Sequence, residues 1–90
     1  MRIRSLLPCL LLAYAMSANA MSKVEADTLV AHAQQAYAKG DHAEALRLFD
    51  SVAVQFNSAA LQLNLGNCWF KLGDIPNAIL HYERGARLAP

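Results

Sequence analysis

The chain has 90 residues, of which 56% are hydrophobic and 17% are charged, with only 4 glycines and 3 prolines. This composition excludes collagen-like, low-complexity and intrinsically disordered chains and leaves room for one small domain. The 8 basic residues against 7 acidic ones give a formal charge of +1, which disfavours nucleic acids and other polyanionic partners.

Residues 1–20 have the pattern of a secretory signal peptide. Arg2 and Arg4 precede an apolar run over residues 6–15, and Ala18 and Ala20 supply the small residues that signal peptidase recognises. We therefore predict cleavage after Ala20, which leaves a mature chain of residues 21–90 exported to a bacterial periplasm. The alternative is an uncleaved leader that anchors the chain in a membrane, although the run is half of the roughly 20 apolar residues that span a bilayer.

Cleavage would remove Cys9 and leave Cys68 as the only thiol. A single cysteine cannot form an internal disulfide, so we expect Cys68 to pack as a small apolar residue. Disulfide pairing between two chains is the alternative.

The mature chain has apolar residues at helical spacing and no alternating strand pattern, which predicts an all-α fold. The first predicted helix covers residues 22–38. Ser22 and Glu25 have the spacing of a capping box at its start, and Gly40 ends it. Its apolar face consists of Leu29, Ala33, Ala36 and Tyr37.

The second predicted helix follows Asp41, which forms another capping box with Glu44. It ends at the turn residues Asn57 and Ser58. Its apolar stripe consists of Ala45, Leu48, Phe49, Val52, Ala53 and Phe56.

The third helix is predicted over residues 59–71 and closed by Gly73. Asp74 caps the fourth helix, and Pro76 lies in its first turn, where the missing N–H costs little. The apolar stripe of the third helix consists of Leu61, Leu65, Cys68, Trp69 and Leu72. We expect Trp69 to lie in the core. The apolar stripe of the fourth helix consists of Ile75, Ala78, Ile79, Tyr82 and Ala86.

The chain contains an internal repeat with an offset of 33 residues. This offset aligns Gly40-Asp41 with Gly73-Asp74, and it also aligns Ala45 with Ala78, Phe49 with Tyr82 and Tyr37 with Phe70. The chain therefore consists of two copies of one helical hairpin.

The second copy resembles the tetratricopeptide repeat (TPR), a helix-turn-helix unit of about 34 residues. The resemblance is carried by Leu65-Gly66, Trp69, Ala78, Tyr82 and Pro90, with Gln62 in place of the family's first tryptophan. The first copy departs further, with His32-Ala33 in place of leucine-glycine and Asn57 in place of proline. The resemblance implies a TPR domain over residues 21–90, with repeat one at about 23–57 and repeat two at about 58–90.

A closer likeness involves residues 64–74, 78–84 and 87–90. These segments are similar to exported TPR proteins of bacterial aerotolerance (Bat) operons, which generally continue into membrane-spanning helices and an SH3-like domain. The likeness suggests a truncated or minimal relative. Two further possibilities are a fragment of a larger membrane-anchored Bat-type protein and a regulatory repeat segment of an absent catalytic domain.

Repeats of this family bind extended peptides or partner helices on a concave face, so the resemblance implies a protein-interaction module. Asn64, Asn67 and Lys71 recur at helical spacing and could hydrogen-bond a peptide backbone or an acidic group, while Phe70 could add an apolar contact. The alternative is that these side chains form only a solvated helix face.

Catalysis has little support in the sequence. His32, His42 and His81 lack metal-ligand spacing, and no Gly-rich phosphate loop or nucleophile-elbow pattern occurs. We therefore predict no catalytic residues, no metal and no cofactor.

The fourth helix is expected to leave an apolar face, including Ile79, Tyr82 and Ala86, without a covering element. Helical repeat arrays normally need three or more repeats and a polar cap. Self-association, a protein partner or a C-terminal extension would each cover this face.

Overall fold

The computed structural model describes residues 20–90, which form four α-helices and no strand. The helices are α1 (Lys23–Ala38), α2 (His42–Ala53), α3 (Ala59–Lys71) and α4 (Ile75–Leu88). The prediction of an all-α fold of four helices is confirmed for this part of the chain. The predicted signal peptide falls almost entirely on residues 1–19, which lie outside the described residues.

Each helix begins at a side chain that accepts a hydrogen bond from a backbone N–H of the first turn. Ser22 Oγ accepts from Glu25 and Ser58 Oγ from Leu61, both at 3.1 Å. The carboxylates of Asp41 and Asp74 do the same for α2 and α4, at 3.2 and 3.1 Å. Because these N–H groups have no partner within their helix, each cap stabilises the start of its helix by about 1 kcal/mol.

The two turns that close α1 and α3 have the same backbone geometry. Gly40 and Gly73 adopt φ angles of 86° and 85°, a left-handed conformation that suits glycine. The following N–H groups, those of Asp41 and Asp74, each donate to a carbonyl in the last helical turn at 2.9 Å. Each turn therefore leads after three residues into the next helix, so the two connected helices lie side by side.

Consecutive helices run antiparallel and pack on each other. The backbone nitrogen of Met21, before α1, donates to Gln55 Oε1, beyond the end of α2, at 2.9 Å. At the other end of the chain, Gly85 near the end of α4 lies beside Ala59 at the start of α3. Helix α2 packs on both α1 and α3, and α4 packs on α3.

The buried core lies along α2 and the two helices beside it. It consists of Ala26 and Ala33 of α1, Ala45, Leu48, Phe49 and Val52 of α2, and Leu61, Leu65 and Cys68 of α3. Cys68 is fully buried, and burial raises the pKa of its thiol to about 11. The prediction that Cys68 packs as a small apolar residue is confirmed.

The expected placement of Trp69 in the core is wrong, because this side chain is only partly buried. Leu72 of the same predicted stripe is 44% exposed. Neither residue belongs to the buried core or to the side chains packed against it. Both lie at the C-terminal end of α3, where the neighbouring helices begin or end and give little cover. A tryptophan is also large enough that it is seldom fully enclosed.

We predict that Phe49→Ala costs about 3 to 5 kcal/mol of unfolding free energy, because Phe49 is 2% exposed and its loss leaves a cavity. A domain of about 70 residues has roughly 4 to 10 kcal/mol in total, so this variant should be close to unfolding. Trp69→Ala should cost less than half as much, since part of the ring already contacts water. Urea unfolding followed by circular dichroism measures both losses, and equal losses would contradict this assignment of the core.

Candidate functional site

A small cleft lies between the first and third helices. Gln34 and Tyr37 of α1 line one side, Asn64 and Asn67 of α3 line the other, and Phe49 of α2 completes the lining. Its volume is about 190 Å³. Sites for drug-sized molecules run from about 300 to 1,000 Å³, so this cleft has the size for one side chain of a larger ligand.

Two of the four predicted site residues line this cleft together. Asn64 and Asn67 are one helical turn apart on α3 and face Gln34 and Tyr37 across the cleft. Lys71 is exposed and lies one turn beyond Asn67, and Phe70, at 56% exposure, lies outside the cleft lining. The structure therefore places Phe70 and Lys71 beside the cleft on the end of α3.

The cleft residues that sequence reasoning missed are Gln34, Tyr37 and Phe49. A signal for one of them was present, because the 33-residue offset aligns Gln34 with Asn67 and so repeats an amide at the same place in both hairpins. Tyr37 and Phe49 were assigned only to apolar stripes, since helical periodicity does not reveal which core residue borders an opening.

The side chain of Asn67 is oriented by Tyr82. The Tyr82 hydroxyl donates to Asn67 Oδ1 at 2.7 Å, which occupies the acceptor end of the amide. The amide NH₂ remains as the group with donors to offer. A ligand in the cleft would therefore meet a hydrogen-bond donor here, which suits a backbone carbonyl or a carboxylate.

Gly66 makes room for the Tyr82 ring. A Cβ atom at position 66 would lie 2.5 Å from ring atoms Cδ1 and Cε1 of Tyr82, far inside van der Waals contact. A glycine at this position therefore lets α3 and α4 approach closely. Gly66 thus positions Tyr82, and Tyr82 in turn positions Asn67.

A second polar group lies in the contact between α3 and α4. Gln62 is 5% exposed, its Nε2 donates to Asn57 Oδ1 at 2.8 Å, and its Oε1 lies 2.8 Å from His81 Nδ1. Because Oε1 can only accept, this contact is a hydrogen bond in the tautomer that carries a proton on His81 Nδ1. Partial burial, aided by the nearby Arg84, lowers the pKa of His81. These bonds satisfy the amide that replaces the tryptophan of the family pattern.

No group of three or more histidine, cysteine or acidic side chains comes together within residues 20–90 to hold a metal ion. Within the same residues, no helix combines the length and the apolar content needed to cross a bilayer.

Comparisons of the chain with models of known protein families, with curated proteins and with solved structures give no match. Function must therefore be inferred from the cleft itself and from the sequence pattern.

We predict that Gly66→Ala destabilises the protein by about 1 to 2 kcal/mol, because the added methyl group displaces the Tyr82 ring. In a helix, alanine is more favourable than glycine by about 1 kcal/mol. Without the clash, the substitution should therefore no longer lower the free energy of unfolding. In a Tyr82→Ala background, Gly66→Ala should accordingly be neutral or stabilising. Urea unfolding of the four proteins in this double-mutant cycle tests the contact, and additive effects would show that the two residues do not interact.

Proposed function

We propose that this protein is an exported protein-interaction module of two tetratricopeptide-type hairpins, which binds a segment of a partner protein in the cleft between α1 and α3. The observation that carries the proposal is the cleft lining, which combines two aromatic rings with three side-chain amides. Such a lining can hold an apolar side chain and hydrogen-bond the peptide backbone around it.

The positions of the helices support the repeat part of this proposal. Helices α2 and α4 begin at His42 and Ile75, and helices α1 and α3 end at Ala38 and Lys71, so both pairs are 33 residues apart. Their connecting turns share one geometry. The first proposed repeat covers about residues 23–57, and the second covers about residues 58–90.

The charges and donors around the cleft indicate the kind of ligand. The Asn67 amide offers donors, Tyr37 offers apolar surface above the buried Phe49 ring, and Lys71 adds a positive charge one turn further along α3. The ligand of this proposal is an extended peptide that places one apolar side chain in the cleft and an acidic group toward Lys71. Phe70 would extend the apolar contact.

We predict that peptides selected from an unbiased displayed library bind this cleft and contain an apolar residue close to an acidic one. Gln34→Ala combined with Asn64→Ala should weaken their affinity at least about tenfold, because each lost hydrogen bond is worth about 1 kcal/mol. This pair leaves the Tyr82–Asn67 bond intact. Fluorescence anisotropy with labelled peptides measures the change.

The matched control is His32→Ala combined with Gln35→Ala, which removes exposed polar groups from α1 outside the cleft lining. This control should bind like the wild type, and Lys71→Glu should select against acidic peptides. If no sequence is enriched, or if both double variants bind equally, the cleft is not a peptide site.

Export is supported by the leader pattern and by the position of the proposed cleavage site. Ala20 precedes Met21, and helix α1 begins only at Lys23, so cleavage would cut outside the helix. The Met21 nitrogen that donates to Gln55 would become an ammonium group, which can keep the same hydrogen bond. The mature chain would carry 6 basic and 7 acidic residues.

We predict that bacterial expression of the full chain yields a periplasmic protein that begins at Met21. Ala18→Arg should block cleavage, because it places a long charged side chain where the peptidase requires a small one. Asn19→Ala is the matched control and should be processed normally. Cell fractionation with mass spectrometry of the N-terminus gives the answer, and an intact Met1 in the wild-type protein would contradict cleavage.

A further inference from the structure

The two ends of the helix array differ in polarity. At the N-terminal end, a groove of about 470 Å³ lies between α1 and α2. Most of its lining is polar or charged, and Arg47 donates to both carboxylate oxygens of Glu44 there, from Nη2 at 2.6 Å and from Nε at 2.9 Å. The polar and charged residues of this N-terminal groove are His32, Gln35, Lys39, Asp41, Glu44 and Arg47.

At the C-terminal end, a groove of about 300 Å³ lies between α3 and α4. Among the residues that the structure describes, no charged side chain lines it. Leu63 in its wall is 53% exposed, and Ile79 on the same helix pair is 51% exposed. The lining of this C-terminal groove consists of Ala59, Ala60, Leu63, Tyr82, Gly85, Ala86 and Ala89.

The internal repeat shows what kind of surface the C-terminal groove is. For six of its seven lining residues, the residue 33 positions earlier belongs to the buried core or packs against it. These counterparts are Ala26, Val30, Phe49, Val52, Ala53 and Phe56. The same core includes Leu61, Leu65 and Cys68 of α3. In the first hairpin this surface is thus covered by a packed helix, whereas in the second hairpin no part of residues 20–90 covers it.

The N-terminal groove lacks the side chains that would fit such a surface. Leu65 and Cys68 of α3 are among the residues that pack against the first hairpin. The residues 33 positions earlier, on α1, are His32 and Gln35. Stacking the α1 end of one copy on the α4 end of another would bury these polar groups, together with Lys39, against alanine and leucine. Burying them without partners costs free energy, so head-to-tail stacking is disfavoured.

We infer that the C-terminal groove is covered by the same groove of a second copy of the chain, in a closed two-fold dimer. In this arrangement apolar surface meets apolar surface, and both polar N-terminal grooves remain in water. An interface that uses the same patch on both copies closes after two subunits, unlike a head-to-tail contact, which would extend into a filament.

The size of the surface agrees with a reversible dimer. Helices α3 and α4 contain 13 and 14 residues, so the face is about 20 Å long and, with two helices side by side, roughly 20 Å wide. Covering it on both copies removes on the order of 1,000 Å² of surface from water, which is near the lower bound for a specific interface. The dimer should therefore dissociate on dilution.

Sedimentation velocity of the protein purified after expression of residues 1–90 tests this inference over a range of protein concentrations. The expected result is a monomer–dimer equilibrium with no larger species. Leu63→Lys and, separately, Ala86→Arg should each weaken dimerisation at least about tenfold, because both copies would bury a charge in the interface. Val24→Lys is the matched control: Val24 is 75% exposed at the start of α1, and this variant should dimerise like the wild type.

Circular dichroism melts at low protein concentration test whether each variant is folded. We expect both groove variants to fold, because Leu63 and Ala86 are exposed. A wild-type protein that melts cooperatively and stays monomeric at every concentration would overturn the inference. Species that grow beyond the dimer would indicate head-to-tail stacking and would overturn it as well. A dimer that both groove variants leave unchanged would show that the two copies meet elsewhere.

Discussion

The structure depends on the burial of one face of α2 between α1 and α3. Leu48, Phe49 and Val52 project from this single helix into the core, where Ala26 and Ala33 of α1 and Leu61, Leu65 and Cys68 of α3 are also buried. Each helix packs on the helix that precedes or follows it in the chain, so α4 packs on α3. Stability in such an array is close to a sum of neighbouring contacts, so the loss of one contact is not compensated by distant ones.

The hairpin turns and the contacts of Tyr82 with Gly66 and Asn67 shape the cleft of the candidate site. Gly40 sets the direction in which the chain returns from α1, and Gly73 does the same after α3. The cleft lies where α1 and α3 come side by side. The close approach of α4 at Gly66 then brings the Tyr82 hydroxyl to Asn67. The cleft is therefore shaped by residues of all four helices, although three of them supply its walls.

Local features of the chain could be predicted from sequence because their causes are local. Caps, terminating glycines and helical periodicity are each determined within a few residues, which is why the bounds of α3 and the N-cap roles of Ser22, Asp41 and Asp74 were correct. The capping box predicted for Asp41 and Glu44 forms only in part, because the Asp41 N–H donates to Ala36 and the Glu44 carboxylate binds Arg47 instead. Trp69 was misplaced because periodicity gives the direction of a side chain and not the extent of the helices around it. The contacts of Gln62 with Asn57 and His81 were not predicted either. They depend on how the helices pack, which helical periodicity does not reveal. Of the site, Asn64 and Asn67 could be predicted, but the opposite wall required the structure.

Tyr82 belongs to two surfaces at once. Its ring lines the C-terminal groove, and its hydroxyl holds the Asn67 amide in the cleft. A molecule that covers the groove and shifts the ring would therefore alter the donor that the cleft presents. By thermodynamic linkage, a cleft ligand that pulls on Asn67 would change affinity at the groove by the same factor. Through this one phenol side chain, the proposed dimer contact and the proposed peptide cleft would be allosterically coupled.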